Sequence, residues 1–203
     1  MSEQDKNHVS ERTFETVFVD ENPEVVNALA VSFGRKWPGA VRFTIGNILA
    51  AEPGVIVSPT NCYGDMGAGL DLQLRTWYTS LESRLQQYIL LRPSRRLPIG
   101  AVVWIEKGDS NHPAVIFSPT FRTAQDLASP NRVYRAAFAI FSSVRAYNGA
   151  TLNEPVRRIL MPGLGTGVGG LDVALAANKI RQAYHRGLAF PPHELEAPTV
   201  IRS

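Results

Sequence analysis

Short apolar segments and longer segments of helical periodicity alternate along most of the chain. The short segments, whose apolar residues are consecutive or alternate with polar ones, predict β-strands. They are Thr13–Val19, Val41–Ile45, Val55–Ser58, Ala101–Ile105, Ala114–Ser118 and Ile159–Met161. Strands that alternate with helices in this way predict a largely parallel sheet with helices on both faces.

Capping residues indicate where the intervening helices begin and end. The predicted helices run from Asn22-Pro23 to Gly34, from Leu70 to Ile89 with at most one break, from Ser129-Pro130 to Asn148-Gly149, and from about Leu171 to Arg186. Gly187 is the candidate C-cap of the last helix.

These elements predict one domain of the α/β class. We expect a single three-layer α/β/α domain whose mixed, largely parallel central sheet has about six strands. The domain occupies residues 13–188, between a flexible N-terminus (1–12) and a proline-containing C-terminal tail (189–203). A chain of 203 residues is long enough to bury a sizeable core.

Two glycine-rich loops follow strands of this sheet and carry the main functional signal. Gly64–Gly69 follows Val55–Ser58, and Gly163–Gly170 follows Ile159–Met161. Loops with few Cβ atoms let backbone N–H groups approach an anion, and a following helix adds its positive end. The alternative is two tight turns that need glycine only for positive φ. Because ligands of such sheets bind beyond the carboxyl ends of the strands, the shared edge favours a diphosphate site.

The second loop differs from two common nucleotide-binding motifs. Gly165, Gly167 and Gly170 match G-x-G-x-x-G, but the chain has no further strand with the acidic residue that this fingerprint requires. The loop also lacks the lysine of a Walker A motif.

Composition and charge narrow the function classes further. Lys and Arg exceed Asp and Glu by 21 − 18 = 3, a mild bias toward anionic ligands without the clustered charge of a nucleic-acid binder. The single cysteine, Cys62, excludes an intramolecular disulfide. No apolar run approaches the roughly 18 residues of a membrane helix, and the polar N-terminus does not resemble a secretory signal. We therefore expect a cytoplasmic protein with no membrane partner.

Four segments, in order, resemble the macrodomain, a module that binds ADP-ribose. Gly46-Asn47-Ile48, Val55–Asn61, Gly67–Asp71 and Pro162–Gly170 are similar to the family's Gly-Asp-Ile, its strand ending in Asn-Ala-Ala-Asn and its two ligand loops. The resemblance covers roughly residues 13–188. It implies a protein that binds ADP-ribose or a close derivative and that hydrolyses ADP-ribose conjugates or ADP-ribose-1″-phosphate as an additional activity, without a cofactor.

The resemblance also implies roles for individual residues. Asn47 would accept a hydrogen bond from the adenine amino group, the Ile48 N–H would contact the ring, and Asn61 would bind the distal ribose. The diphosphate would be surrounded by backbone amides of Gly67, Ala68, Gly69, Leu70, Gly165, Thr166, Gly167 and Val168. Gly163, Leu164 and Gly169 of the second loop are further candidate ligand-binding residues. Asp71 matches the aspartate that positions or activates water in hydrolytic members, so Asn61 and Asp71 are the candidate catalytic residues.

The sequence departs from the family pattern at several places. Asn47 lacks the charge of the usual aspartate, and Ser58 replaces the first asparagine of Asn-Ala-Ala-Asn. Asp65-Met66 and Ala68 stand where many members have glycine. Gly169 replaces an aromatic residue and would open the pocket at the distal ribose. The glutamate pair of poly-ADP-ribose glycohydrolases has no counterpart, which disfavours that activity.

Several of these residues have a structural alternative. Asp71 could cap the following helix, and Asn61 could stabilise its own loop. Phe121, at a strand end, could stack on the ligand or belong to the core. Cys62 has no histidine in a partner motif and is predicted to be a structural thiol. The four histidines show no metal-ligand spacing, so no metal is expected.

Two other functions stay open. One is a non-catalytic module that senses nucleotide or ADP-ribose. The other, less favoured, is an RNA-binding α/β domain, for which the loops and the basic residues Arg92, Arg95 and Arg96 would contact phosphates.

Overall fold

Seven strands form one mixed sheet in the described part of the chain. The computed structural model describes residues 14–34, 41–108, 111–123, 126, 128–151, 154–189 and 197–202. The strands are β1 (Glu15–Asp20), β2 (Val41–Ile45), β3 (Val55–Ser58), β4 (Val103–Glu106), β5 (Ala114–Phe117), β6 (Arg158–Met161) and β7 (Thr199–Ile201). Their order is β2-β1-β6-β3-β5-β4-β7. All neighbours are parallel except β4 and β5, which confirms the predicted mixed, largely parallel sheet.

Five α-helices in the described ranges cover both faces of the sheet. They are α1 (Pro23–Phe33), α2 (Gly69–Trp77), α3 (Leu81–Leu90), α4 (Pro130–Ala150) and α5 (Val173–Ala189), and Ile48–Ala50 forms a 3₁₀ turn. Residues of α1, α4 and α5 share one hydrophobic core with the sheet, and residues of α2 and α3 share the other. In β1, Phe18 belongs to the first core while Val17 and Val19 belong to the second, as the period of two in a strand requires. The three-layer α/β/α architecture is confirmed.

Local capping explains the helix starts. The Asn22 side chain accepts the Glu24 N–H at 2.9 Å, and the Ser129 hydroxyl accepts the Arg132 N–H at 3.4 Å. Gly34 ends α1 with φ of 68°, a conformation that favours glycine. The long helix predicted after residue 70 is broken once, between α2 and α3.

The last helix differs from its prediction at both ends. It begins at Val173 instead of about Leu171, because Asp172 Oδ1 accepts the Leu175 N–H at 2.9 Å and so caps its first turn. Gly187 is not a C-cap but lies buried inside the helix. A Cβ there would approach Phe141 Cβ to 2.8 Å, so the glycine permits close contact between α4 and α5.

The tail contributes a strand that its sequence did not predict. Residues 199–201 form β7, which pairs in parallel with β4 at the edge of the sheet. The predicted flexible segment 1–12 lies outside the described residues. No helix in the described ranges is long and apolar enough to span a membrane.

Candidate ligand-binding site

A cavity of about 270 Å³ opens where the carboxyl ends of β1, β3 and β6 come together. Both glycine-rich loops lie on its wall. The predicted site residues on this wall are Ile48, Ala68, Gly69, Leu70, Asp71, Phe121, Gly163, Gly165, Thr166, Gly167, Val168 and Gly169. Asn47, Asn61, Gly67 and Leu164 do not line it. The parallel strands therefore bring most of the predicted residues to one cavity.

The Asn61 side chain holds the first loop through hydrogen bonds to its backbone. The buried side chain donates from Nδ2 to the Asp65 carbonyl at 2.7 Å. Its Oδ1 accepts the N–H groups of Tyr63 at 2.9 Å and of Asp65 at 3.3 Å. The structure thus gives Asn61 the loop-stabilising role, and its contact with a ribose stays a prediction.

The first loop is also anchored to α3. Glu82 Oε1 accepts the Met66 N–H at 2.9 Å, and Glu82 Oε2 lies 3.2 Å from Arg75 Nη1. The Met66 side chain is fully buried beneath the loop. This packing explains why a large apolar residue stands where many family members have glycine.

The N-terminus of α2 faces the cavity without a side-chain cap. Ala68 occupies the N-cap position, and the first intrahelical bond runs from the Leu72 N–H to the Ala68 carbonyl at 3.2 Å. The earlier N–H groups of a helix have no partner within the helix. Together with the helix dipole they form an anion-binding end, and Gly69 and Leu70 place it on the cavity wall.

The second loop folds on itself and leaves three N–H groups available. Its closing bonds run from Gly170 N–H to the Gly167 carbonyl at 3.0 Å and from Leu171 N–H to the Gly165 carbonyl at 2.9 Å. The N–H groups of Thr166–Val168 donate to no acceptor among the described residues. The Gly163 N–H, by contrast, already donates to Asp20 Oδ2 at 3.0 Å.

The fold requires glycine at one position of the second loop and not at another. A Cβ at Gly169 would lie 2.7 Å from both Ala128 Cβ and the Gly165 carbonyl oxygen, so close packing requires glycine there. A Cβ at residue 169 would meet Ala128, while Gly169 itself lines the cavity, and its effect on the distal pocket stays a prediction. A Cβ at Gly167 would meet nothing within 4 Å, and its φ is not positive. The fold does not require glycine at 167, so that position is free to serve a ligand.

The pKa of the Asp71 carboxyl group is shifted from its ordinary value. Asp71 accepts a hydrogen bond from the buried Ser58 hydroxyl and does not cap α2. Burial raises its pKa to about 6, and the hydroxyl groups of Ser58 and Thr60 offset part of that effect. The carboxylate therefore changes charge close to neutral pH, where a general base is most effective.

Phe121 lies beside Asn61 and Cys62, just before the first loop. Phe121 forms an isolated parallel bridge with Asn61 and lines the cavity, so it is placed to contact a ligand. Cys62 is buried beside it, with its N–H 3.2 Å from the Phe121 carbonyl oxygen. Burial raises the pKa of the thiol, which disfavours the reactive thiolate and supports a structural role.

The cavity wall also contains residues that sequence reasoning missed. Asp20, Glu21 and Gln73 line the wall there. Asn47 is exposed and does not line the cavity, and its Oδ1 accepts the Leu49 N–H at 2.8 Å. The available signal was the polar run that follows β1 directly, which reaches the same sheet edge as the two loops.

The charged side chains on the cavity wall are all acidic. Asp20, Glu21 and Asp71 line it, and no lysine or arginine does so among the described residues. A diphosphate here would therefore be held by backbone N–H groups and a helix dipole, not by cationic side chains.

The histidine that the structure describes at the core is structural. His112 is buried, with Nδ1 3.1 Å from the Gly54 carbonyl oxygen and Nε2 3.3 Å from that of Leu49. Within the described ranges, no three His, Cys, Asp or Glu residues are grouped closely enough to hold a metal ion.

Comparisons with known proteins identify the family. The model of the Macro domain matches residues 57–180. An uncharacterized protein from Aquifex aeolicus is 26% identical over 161 residues, which is 79% of this chain and 88% of the relative. The DNA ADP-ribosyl glycohydrolase of Thermus aquaticus is 28% identical over 144 residues, 70% of this chain. The matched part is 37% of the length of that relative.

Solved structures share the fold. The macrodomain of Mycobacterium tuberculosis DarG superposes with a TM-score of 0.60 at 20% identity, over 77% of this chain and 93% of that one. Thermosipho africanus DarTG in complex with ADP-ribose gives 0.57 at 16% identity, over 77% and 39% of the two chains. Both glycine-rich loops and Asp71 fall inside the residues that the family model matches, and those residues are more than half of the chain. The chain belongs to the macrodomain family.

Proposed function

We propose that this protein binds ADP-ribose, or a close derivative, in the cavity between its two glycine-rich loops. The observation that carries the proposal is the set of unpartnered backbone N–H groups of residues that line the cavity, from the start of α2 and from Thr166–Val168. Such groups are suited to the oxygens of a diphosphate. The similar fold of the Thermosipho protein in complex with ADP-ribose supports this ligand.

Calorimetry with ADP-ribose tests binding. We expect Gly167→Val to weaken affinity at least about tenfold, because the added side chain blocks the approach of phosphate to the loop amides. The fold should survive, since a Cβ at residue 167 meets nothing within 4 Å. Ala150→Val, an exposed change at the far end of α4, is the control and should leave affinity unchanged. Absence of ADP-ribose binding by the unmodified protein at millimolar ligand would overturn the proposal.

We further propose that the protein hydrolyses an ADP-ribose conjugate, with Asp71 as the residue that accepts a proton from water. The water oxygen bonds to the anomeric carbon of the distal ribose, the bond to the carrier breaks, and the proton that Asp71 accepted passes to the leaving carrier. Asn61 supports this step by holding the first loop, through its bonds to Asp65 and Tyr63. Because a relative is a DNA ADP-ribosyl glycohydrolase, ADP-ribosylated DNA is the first conjugate to test.

Release of ADP-ribose from a modified DNA oligonucleotide, and in parallel from a modified protein, measures this activity. Asp71→Asn keeps the shape of the side chain but cannot accept the proton at neutral pH. We expect it to bind ADP-ribose within a few-fold of the unmodified protein and to lose about 100-fold or more in rate. Full activity of Asp71→Asn would contradict the catalytic assignment. Binding without release from either conjugate would identify a non-catalytic module.

The RNA-binding alternative has less support. Arg92, Arg95 and Arg96 do not line the cavity, and Arg92 Nη1 donates to the Tyr88 hydroxyl at 2.8 Å. Salt-sensitive RNA binding in the absence of ADP-ribose binding would favour that alternative.

A further inference from the structure

An arginine-rich surface lies next to the first loop, on residues that do not line the cavity. This arginine surface consists of Arg92, Arg95, Arg96, Arg122, Arg132 and Arg135. They come from two segments, 92–96 and 122–135, which together contain one acidic residue, Asp126. The formal charge of the two segments is therefore 6 − 1 = +5, against +3 for the whole chain. The excess positive charge of the protein is concentrated in these segments.

Backbone hydrogen bonds bring the two segments together at Cys62. The Leu97 N–H donates to the Cys62 carbonyl at 2.7 Å, so Arg96 lies next to this residue. The Cys62 N–H in turn lies 3.2 Å from the carbonyl oxygens of both Phe121 and Arg122. Arg96 and Arg122 are both exposed. One buried residue is thus bordered by an exposed arginine from each segment.

The charges of the two segments act on the same thiol. Burial raises the pKa of Cys62, and the positive charges of Arg96, Arg122 and Arg132 oppose that rise. Asp126 neutralises only part of this charge, because its Oδ2 lies 2.5 Å from Arg132 Nη1. The side chains of Arg96 and Arg122 form no ion pair within the described ranges. Their guanidinium groups are therefore available to an anion.

The backbone also sets the positions of Arg95 and Arg135. Arg95 has a positive φ of 47°, and its N–H donates to the Arg92 carbonyl at 2.9 Å in a tight turn. This turn leaves both Arg95 and Arg96 exposed. Arg135 is exposed on α4, and a Cβ at Gly100 would lie 3.5 Å from its Cβ. The chain that follows the first segment therefore packs beside Arg135, which places the two segments next to each other.

The arginine surface adjoins the side of the cavity where the proposed reaction takes place. That reaction puts the anomeric carbon at Asp71, which is hydrogen-bonded to Ser58 at the end of β3. Three residues beyond Ser58, Asn61 forms its parallel bridge with Phe121. Phe121 lines the cavity, and Arg122 follows it directly in the chain. A carrier bonded to the anomeric carbon would therefore leave the cavity close to Arg122.

We propose that the arginine surface binds the phosphates of the DNA strand that carries the ADP-ribose group. The proposal rests on the proposed function and adds the surface that recognises the carrier. Guanidinium groups match the oxygens of a phosphate with paired N–H donors. Tyr63, which is exposed beside Cys62, offers an aromatic ring on which a base can stack. The cavity would then bind the ADP-ribose group, and the arginine surface would select an anionic strand as its carrier.

Calorimetry compares free ADP-ribose with a short single-stranded DNA oligonucleotide that carries ADP-ribose. The protein contains Asp71→Asn, so that the conjugate is not hydrolysed during the titration. We expect the conjugate to bind at least about tenfold more tightly than ADP-ribose at 50 mM NaCl. Each phosphate contact on a single strand adds about −0.7 to the log–log salt slope, so three contacts predict a loss of roughly twentyfold between 50 and 200 mM NaCl. Free ADP-ribose should lose less than about threefold over the same range.

Charge-matched double variants test the surface itself. Arg96→Gln with Arg122→Gln should weaken the conjugate about fivefold or more and leave ADP-ribose within about twofold. Arg96→Lys with Arg122→Lys keeps both charges and should restore most of the affinity. The control is Arg157→Gln with Arg202→Gln, which removes the same charge from exposed residues at the sheet edge opposite the cavity. It should leave both affinities unchanged.

The outcomes are distinguishable from those of the proposed function. Equal affinity for ADP-ribose and the conjugate, or equal losses in the glutamine variant and its control, would overturn the surface while the binding of ADP-ribose stands. An equal gain from an acidic peptide that carries ADP-ribose would overturn the assignment to DNA. Absence of hydrolysis would not affect the result, because affinity is what is measured. If the protein binds neither ADP-ribose nor the conjugate, both proposals fail.

Discussion

The Asp71 side chain lies in a buried environment that disfavours its ionised form. Its pKa is raised from an ordinary value of 3.8 to about 6, chiefly by desolvation. The folded protein therefore binds this proton more tightly than the unfolded chain does. The resulting stabilisation is complete below pH of about 4 and is lost as the pH rises through about 6. Above that range the ionised side chain costs the fold up to about 3 kcal/mol.

Replacing Asp71 with asparagine should therefore stabilise the protein in a pH-dependent way. We expect Asp71→Asn to exceed the unmodified protein in free energy of unfolding at pH 7.5, by about 1–3 kcal/mol. The advantage should shrink toward pH 4, where Asp71 is neutral as well. Urea unfolding of both proteins at three pH values measures the difference. A difference that is constant with pH would contradict the shifted pKa.

The two glycines of the second loop should respond differently to the same small change. Gly169→Ala places a Cβ 2.7 Å from Ala128 Cβ and the Gly165 carbonyl oxygen, and should lower the free energy of unfolding by about 1–3 kcal/mol. Gly167→Ala adds a methyl group to open space and should change it by less than about 0.5 kcal/mol. Denaturant titrations of both variants provide the comparison. Equal losses would show that residue 169 is not packed as described.

At the scale of elements, Arg84 links the last strand to the rest of the domain through hydrogen bonds. From α3 its Nη1 donates to the Tyr78 hydroxyl and to the Glu106 carbonyl, both at 2.6 Å. Its Nη2 donates to the Ile201 carbonyl at 3.1 Å. One guanidinium thus joins α3 to the ends of β4 and β7, and holds a strand of only three residues in place.

Removing this charge should loosen β7 and leave the cavity intact. Arg84→Met keeps the apolar stem, loses the three hydrogen bonds, and should destabilise the protein by about 1–3 kcal/mol. Hydrogen exchange of the β7 amides should become faster than that of β3 and β6. Affinity for ADP-ribose should not change, because Arg84 does not line the cavity. Unchanged protection of β7 would contradict the role given to Arg84.

The same elements show what sequence could and could not predict. The starts of α1 and α4 were predictable because Asn22 and Ser129 cap through bonds to N–H groups two or three residues away. Strand β7 was not, because its stability comes from β4 and from Arg84, which are distant in sequence. The place of Gly187 inside α5 depends on Phe141 in another helix, and no local pattern records that contact.

The candidate site also has parts that depend on local sequence and parts that depend on contacts distant in sequence. The glycine-rich loops could be found because their composition is visible in the sequence and strand ends place them at one edge. For Asp20 and Glu21 the only sequence signal was the polar run at the end of β1, and their place on the wall depends on β1 lying beside β6 in the sheet. Asn61, which does not line the cavity, has a structural role in the first loop that its motif alone does not specify.

At the scale of the whole molecule, the acidic cavity lies in a protein of formal net charge +3. The wall holds Asp20, Glu21 and Asp71 and no described lysine or arginine, so affinity for ADP-ribose should depend little on salt. We expect a loss of less than about threefold between 50 and 500 mM NaCl, because buried dipoles are screened less than exposed charges. Calorimetry at both concentrations measures this. A loss of about tenfold or more would indicate cationic contacts instead.

The pairing of β3 with β6 couples ligand binding to the free energy of unfolding of the domain. The two loops leave adjacent strands, whose partners include Val55 with Ile159 and Ile56 with Leu160. These residues are buried, so separating the loops would require opening the centre of the sheet. The cavity and the fold should therefore be lost in a single transition. By mass action, ligand at a hundred times its dissociation constant would then stabilise the entire domain by about 2.7 kcal/mol, and would rescue destabilised variants wherever their substitutions lie.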